Sequence, residues 1–206
     1  MWLNPALRRY PKEAAIVGHL VLSYGELELI ITKALGAALG NEPVAMRTMF
    51  RLIGERNRIE AADALMREGY CAFGLEGQYG TAIGAMKQCT KIRNQYAHCH
   101  WGDQDGAGLF FTDLQDPARS ATTFDYWWRH VDVPLLEQQA GYFDFAAEAM
   151  QFIHVELVLR QGKSQSHPFL MPKGQKPPPL HNPPEKHIPP WLDEDGKRQH
   201  LVHAEG

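Results

Sequence analysis

The chain has 206 residues and a mass of 23.3 kDa, a length that suits one domain of ordinary size. Its 44% hydrophobic and 22% charged residues lie close to the globular average and exclude a wholly disordered or fibrous protein. The net charge of -3 excludes a uniformly basic nucleic-acid-binding surface, so any site for a polyanion must be local.

The cysteines and the apolar stretches indicate a cytoplasmic protein. Cys71, Cys89 and Cys99 are an odd number without paired spacing, which is typical of reduced thiols. No signal peptide is expected, because charged residues follow the start too closely. No membrane span is expected either, since polar and charged residues interrupt the most apolar stretch, 17–39.

The first predicted helix begins at Pro11 and ends near Leu39. From Ile16 to Leu35 its apolar residues recur at steps of three and four, which is one face of a helix. Gly40-Asn41 provides the stop.

Two more helices are predicted before the middle of the chain. One covers about 44–67 with a break at Gly54, and after a glycine-spaced loop over 69–77 the next covers about 78–98. Two G-x-x-x-G pairs, Gly36 with Gly40 and Gly80 with Gly84, predict close helix contacts.

After the third long helix, the pattern of apolar residues changes from helical to strand-like. After a loop at 102–108, the runs 109–112 and 122–128 are rich in aromatic and β-branched residues and predict a small β-hairpin, inserted at about 108–130. A last helix is predicted from 134 to about 160, with a wide apolar face. The predicted domain is thus mostly α and ends at Gly162.

Residues 163–206 are predicted to form an extended Pro-rich tail. Nine of the fourteen prolines lie between Pro168 and Pro190. We expect this tail to be solvated or draped over the surface, and to be dispensable for folding. The alternative, a ligand for a proline-binding partner domain, lacks the usual P-x-x-P spacing.

The third long helix has a local positive field. No Asp or Glu occurs from Gly77 to Gly102, where the chain's average would place about three. On a helical wheel four residues share one stripe: Lys87, Lys91, Asn94 and His98. Arg93 precedes Asn94 by one residue and therefore lies to one side of this stripe. This stripe predicts either a phosphate clamp beside a titratable imidazole or a solvated basic face.

Arg93-Asn94-x-x-x-His98 resembles the R-x4-6-H signature of the HEPN superfamily, in which a polar residue, often Asn, follows the Arg. The resemblance covers roughly residues 11–160 in helix order, and Tyr24-Gly25-Glu26-Leu27-Glu28 is similar to an aromatic-x-x-Leu-Glu segment of many members. It implies an up-and-down α-helical bundle and a homodimer in which two motif helices line one cleft. The β-hairpin and the tail depart from the minimal bundle.

The resemblance also implies metal-independent cleavage of RNA without a cofactor. Arg93 would stabilise charge on the scissile phosphate, His98 would act as general acid or base, and Asn94 would position His98. Imidazole suits this work because its unperturbed pKa is about 6.5. Further RNA-contacting candidates are Lys87, Lys91, Glu28, Tyr96 and His100.

Several alternatives stay open from the sequence. Glu28 also suits an arginine-pairing role, and Tyr96 also suits the core. A metal site at His98-Cys99-His100 with Cys89 lacks zinc-type spacing. We therefore expect an endoribonuclease, acting as a toxin or defence effector with an antitoxin or regulatory partner. The rival hypothesis is a non-catalytic HEPN-like dimeric interaction or nucleotide-binding module.

Overall fold

The computed structural model describes residues 4–103, 108–118, 126–166 and 168–181. Over these residues the chain is mostly helical and has a small three-stranded antiparallel sheet. The N-terminal helices are α1 (Pro5–Arg9), α2 (Pro11–Leu39), α3 (Glu42–Met49), α4 (Glu55–Ala72) and α5 (Glu76–Ala97). They are followed by β1 (His100–Asp103), β2 (Leu109–Thr112), the short α6 (Gln115–Ala118), β3 (Arg129–His130) and α7 (Val133–Arg160).

The helix boundaries mostly follow the local sequence signals. Helix α2 spans the predicted residues and ends at Gly40, whose φ of 65° is the left-handed conformation that glycine adopts freely. The Asn41 side chain then caps α3 by accepting a hydrogen bond from the Val44 N–H. The predicted break at Gly54 is confirmed, since α4 begins directly after it. The predicted loop over 69–77 is too long, because α4 continues to Ala72.

Helix α2 lies at the centre of the core and packs against α3, α4, α5 and α7. At Gly36 an added Cβ would lie 2.8 Å from the Cα of Glu42, so this glycine permits the close approach of α2 and α3. The other predicted contact glycines differ, because Gly80 and Gly84 face open space.

Among the described helices, α2 is the one long and apolar enough to cross a membrane by length and composition. Buried core helices and signal sequences meet the same criterion. In the structure α2 contacts α1, α3, α4, α5 and α7, and its buried residues are used for this packing. The absence of a membrane span and a cytoplasmic location both stay predictions.

The sheet has the order β1-β2-β3. Strand β2 lies where the sequence predicts a strand, but its neighbour β1 occupies residues expected to form a loop. The third strand is Arg129–His130, directly after the aromatic run, and residues 126–128 are not in a strand. The other residues of the predicted second strand, 122–125, lie outside the described part of the chain. Strand β1 escaped prediction because its four residues show no apolar alternation.

The expectation of a solvated tail is wrong for part of the described segment, which instead lies against the rest of the domain. Pro178 and His181 are buried, and Leu180 packs against the core. Their contacts are with α5, α7 and the sheet. Residues 182–206 and 167 are outside the described residues.

Candidate functional site

The predicted polar stripe on α5 is confirmed and faces two adjoining depressions. Lys87, Lys91 and Asn94 line a groove of about 600 Å³ between α4 and α5, which we call the α4–α5 groove. Lys91, Asn94 and His98 line a cavity of about 420 Å³ at the end of α5, which we call the motif cavity. One turn of helix separates each residue of the stripe from the next, so α5 aligns them along one continuous surface.

The motif cavity is built by distant parts of the chain. Besides the three residues of the stripe, its walls are Glu55, Gln95, Asp113, Gln115, Arg129 and Leu180. Both signs of charge are present, and Lys91, His98 and Arg129 supply the cationic or protonatable groups. Such a mixture of cations, imidazole and carboxylates can bind an anion and exchange protons with it.

Arg93 lies beside this cavity and is held from three directions. Its Nη1 donates to Asn94 Oδ1 at 3.0 Å and lies 3.1 Å from Glu55 Oε1. The guanidinium also stands 5.9 Å from the ring centre of Tyr24. Its buried Nε has no hydrogen-bond partner among the described residues. Arg93 is therefore fixed next to the motif cavity, with donor capacity left over.

His98 is the C-cap residue of α5 and is exposed. Its ring forms no hydrogen bond or ion pair with another described residue, so the imidazole can turn toward a bound molecule. Asn94, one turn earlier, is joined to Arg93 and shares the cavity with His98. Asn94 and His98 of the R-N-x-x-x-H motif thus share the motif cavity, and Arg93 lies beside it.

The two lysines of the stripe differ in availability. Lys87 Nζ donates to Asp63 Oδ2 at 2.6 Å. Burial alone would raise the pKa of Asp63, but hydrogen bonds from Lys87, Tyr79 and Arg67 outweigh it and hold that pKa below its ordinary value. Lys91 is exposed and has no ion pair within the described residues. It is the free ammonium group of the stripe.

Arg129 is a cation that sequence reasoning missed. Its guanidinium stands 5.8 Å from the ring centre of Phe111, and its buried Nε has no partner in the described part of the chain. It enters the motif cavity from β3, opposite α5. The sequence position of Arg129 does not indicate a role in the site, because the sheet that brings β3 to α5 was only partly predicted.

Other predicted site residues lie apart from both cavities. Glu28 is buried and accepts two hydrogen bonds from Arg58 Nη1, at 2.8 and 3.0 Å. Tyr96 is buried in the core. His100 is exposed at the start of β1 and lines neither cavity. The structure therefore gives Glu28 and Tyr96 the arginine-pairing and core roles.

The tail forms part of the site through three glutamines, which we call the glutamine clamp: Gln88 and Gln95 on α5, and Gln139 on α7. Gln88 donates to the carbonyl of Pro178 at 2.7 Å, and Gln139 donates to that of Pro179 at 2.8 Å. Gln95 both donates to the His181 carbonyl and accepts from the His181 N–H. This clamp places Leu180 in the wall of both cavities.

A buried hydrogen-bond chain completes the docking of the tail. His181 Nε2 accepts from the Asp132 N–H, so a neutral ring must carry its proton on Nδ1. That Nδ1–H donates to Tyr96 Oη at 2.7 Å, and Tyr96 donates to Gln139 Oε1 at 2.6 Å. Burial lowers the pKa of His181 to about 4, which keeps the ring neutral near pH 7.

Within the described residues, no group of three or more His, Cys, Asp and Glu side chains is placed to hold a metal ion. The Cys99 thiol donates to the Gln95 carbonyl, and Cys89 is buried. Burial raises the pKa of Cys99 to about 12. These contacts do not bring Cys89, His98, Cys99 and His100 into one ligand set.

The chain matches no family model, no curated protein and no solved structure.

Proposed function

We propose that the protein is a metal-independent endoribonuclease of the HEPN type. The observation that supports this most directly is that Lys91, Asn94 and His98 line one cavity and that Arg93 lies beside it, bound to Asn94. Four residues lie between Arg93 and His98 in sequence. The end of α5 nevertheless brings the His98 imidazole into the motif cavity and holds the Arg93 guanidinium beside that cavity, through Asn94.

The proposed chemistry uses the 2'-hydroxyl of RNA as the nucleophile. A basic imidazole of His98 removes its proton, the 2' oxygen bonds to phosphorus, and the bond from phosphorus to the 5' oxygen breaks. The leaving oxygen takes up a proton from an imidazolium. Arg93 and Lys91 offset the charge that develops on the phosphate, and Asn94 keeps Arg93 in place.

A homodimer supplies both proton-transfer groups in this proposal. With two motif helices lining one cleft, one copy of His98 acts as base and the other as acid. Arg93 exchanges its contact with Glu55 for the phosphate when RNA binds. In a cell, such an enzyme acts as a toxin or defence effector, and an antitoxin or regulatory protein holds it in check.

The test is cleavage of labelled single-stranded RNA, with products identified by mass spectrometry. We expect 2',3'-cyclic phosphate and 5'-hydroxyl ends, intact DNA, and no effect of a chelator. His98→Ala should lower the rate by about 10²- to 10⁴-fold, because the proton-transfer group is lost. Arg93→Ala should cost roughly as much through lost charge stabilisation. Gln78→Ala, on the same helix but remote from both cavities, is the control.

If wild type leaves varied single-stranded RNAs intact, the ribonuclease proposal fails. One observation favours the rival function, a non-catalytic HEPN-like module that binds a nucleotide or a partner protein. Arg93 is paired with Glu55 and does not itself line the motif cavity. Binding of RNA without cleavage by wild type would support that rival.

A further inference from the structure

The α4–α5 groove is continuous with the motif cavity. The two share Lys91, Asn94 and Leu180 as lining residues, so a molecule bound at one can extend into the other. The groove volume of about 600 Å³ lies within the range of sites for small molecules, about 300–1,000 Å³. It is therefore large enough for one nucleotide next to the cleaved bond.

The lining of the groove combines apolar and cationic groups. Ile59 of α4 and Leu180 of the tail contribute branched apolar side chains. Lys91 stands at the junction with the motif cavity, and Lys87 and Arg56 lie along the groove. Lys87 pairs with Asp63 and Arg56 pairs with Glu60. Lys91 is therefore the free cation among the described lining residues. A flat apolar group attached to a single phosphate fits this arrangement.

Leu180 reaches the groove only because the tail is docked. The glutamine clamp binds the carbonyls of Pro178, Pro179 and His181, and the buried His181 ring is held by its own hydrogen bonds. These contacts join α5 and α7 to a segment about 85 residues further along the chain than α5. The groove is complete only in a chain that contains the docked tail.

We propose that the α4–α5 groove is a nucleoside subsite for single-stranded RNA, with Leu180 of the docked tail as the wall against which the base packs and Lys91 as the phosphate ligand. The subsite rests on the proposed function, since it continues the substrate path away from the scissile phosphate. It makes residues 178–181 a substrate-binding element, in addition to a part of the fold.

Binding of fluorescein-labelled tetrauridylate, measured by fluorescence anisotropy, tests the subsite apart from catalysis. All variants are made in a His98→Ala background of the full chain, so that cleavage is too slow to disturb the binding measurement. Leu180→Ala should weaken binding by roughly tenfold, because the base loses its apolar wall. Leu180→Met keeps the volume and should bind within about threefold of the parent. Leu170→Ala is the matched control, since Leu170 lies in the same tail and is 92% exposed.

Lys91→Ala tests the phosphate contact. The slope of the logarithm of the association constant against the logarithm of salt concentration should fall by about 0.7, the value for one phosphate contact on a single strand. An abasic tetramer should bind the parent and Leu180→Ala equally, because it has no base to pack on Leu180.

Each result separates the two proposals. Equal affinity of Leu180→Ala and its parent overturns the subsite even if wild type cleaves RNA. An equal loss in Leu170→Ala also overturns it, because the effect is then not specific to the groove. Leu180-dependent binding by a wild type that cleaves no RNA overturns the ribonuclease proposal and leaves the subsite to a nucleotide-binding module.

Discussion

Arg93 shows how much of a single side chain's role the sequence contains. The R-N-x-x-x-H spacing predicts that Asn94 and His98 lie on one helical stripe, and the structure confirms this because helical geometry alone fixes it. The spacing does not predict the contact with Glu55, which lies at the start of α4 and pairs with Arg93. Partners from distant elements depend on how the helices pack, and no local pattern encodes that.

Glu28 is a second case, and its two predicted roles can be separated by mutation. Its carboxylate and the Arg58 guanidinium are both largely buried, with 11% and 23% of their side chains exposed. Glu28→Gln leaves Arg58 without a charged partner and should cost about 1–3 kcal/mol of unfolding free energy. For a chain of this size the melting temperature should fall by roughly 3–10 °C.

The rate of RNA cleavage by folded Glu28→Gln should stay within about twofold of wild type, because Glu28 lines neither cavity. Glu26→Gln, at an exposed position on the same helix, is the control and should melt like wild type. A large loss of cleavage in Glu28→Gln with unchanged melting would instead return Glu28 to the site.

At the scale of elements, the helices were predictable and the tail was not. Apolar periodicity and stop signals such as Gly40-Asn41 gave α2 its observed ends. The tail was misjudged because proline-rich composition predicts little burial. Its docking instead uses backbone carbonyls, and every residue has one whatever its side chain. The three glutamines that bind them lie on two helices that are far apart in the sequence, and they show no motif.

The tail should therefore contribute to stability, contrary to the expectation that it is dispensable. A chain shortened to end at residue 177 loses the clamp contacts and exposes Tyr96 and Phe111, which pack on His181. Its melting temperature should fall by roughly 5–10 °C. A chain that ends at His181 keeps these contacts and is the control. Equal melting of the two shortened chains would show that the docked segment adds no stability.

Docking of the tail should weaken in acid. The unfolded chain protonates His181 below about pH 6.5, whereas in the folded chain burial lowers the pKa of His181 to about 4. Between these values unfolding takes up a proton, so the unfolding free energy must fall as the pH falls. Asp132 opposes this lowering of the pKa, while His130 and Arg129 reinforce it.

Calorimetry of wild type and His181→Gln from pH 7 to pH 4.5 measures this effect. The melting temperature of wild type should fall more steeply with decreasing pH, so the advantage of wild type over the variant should shrink by a few degrees. Comparison with the variant removes the contribution of His154, whose pKa burial also lowers. Parallel pH curves would contradict a neutral, buried His181.

For the whole molecule, the expected reason for dimerisation changes. A pairing of two protomers through surplus apolar rows of α5 and α7 is not favoured, since no large hydrophobic residue of these helices is exposed among the described residues. The exposed apolar side chains lie elsewhere, and Ile53 and Phe50 are among the most prominent, at 88% and 50% exposure. Both precede Glu55 closely in sequence, so a contact there would bring two motif cavities together.

We predict a dimer at twice the chain mass of 23.3 kDa in multi-angle light scattering at micromolar concentration. Ile53→Asp should convert it to a monomer and lower RNA cleavage, because the two copies of His98 then separate. Leu170→Asp, equally exposed but in the tail, should leave the dimer intact. A monomeric wild type would remove the shared cleft from the proposal.

The long separation between the glutamine clamp and its tail also sets an order of assembly. Contacts between neighbours in sequence form faster than contacts that must close a long loop, and a growing chain exposes its N-terminal part first. Helix α5 and its polar stripe therefore exist before Leu180 can reach them. During synthesis, residues 178–181 are made well after the helices to which they bind. The proposed nucleobase-binding surface is therefore complete only after these residues have been made and have docked.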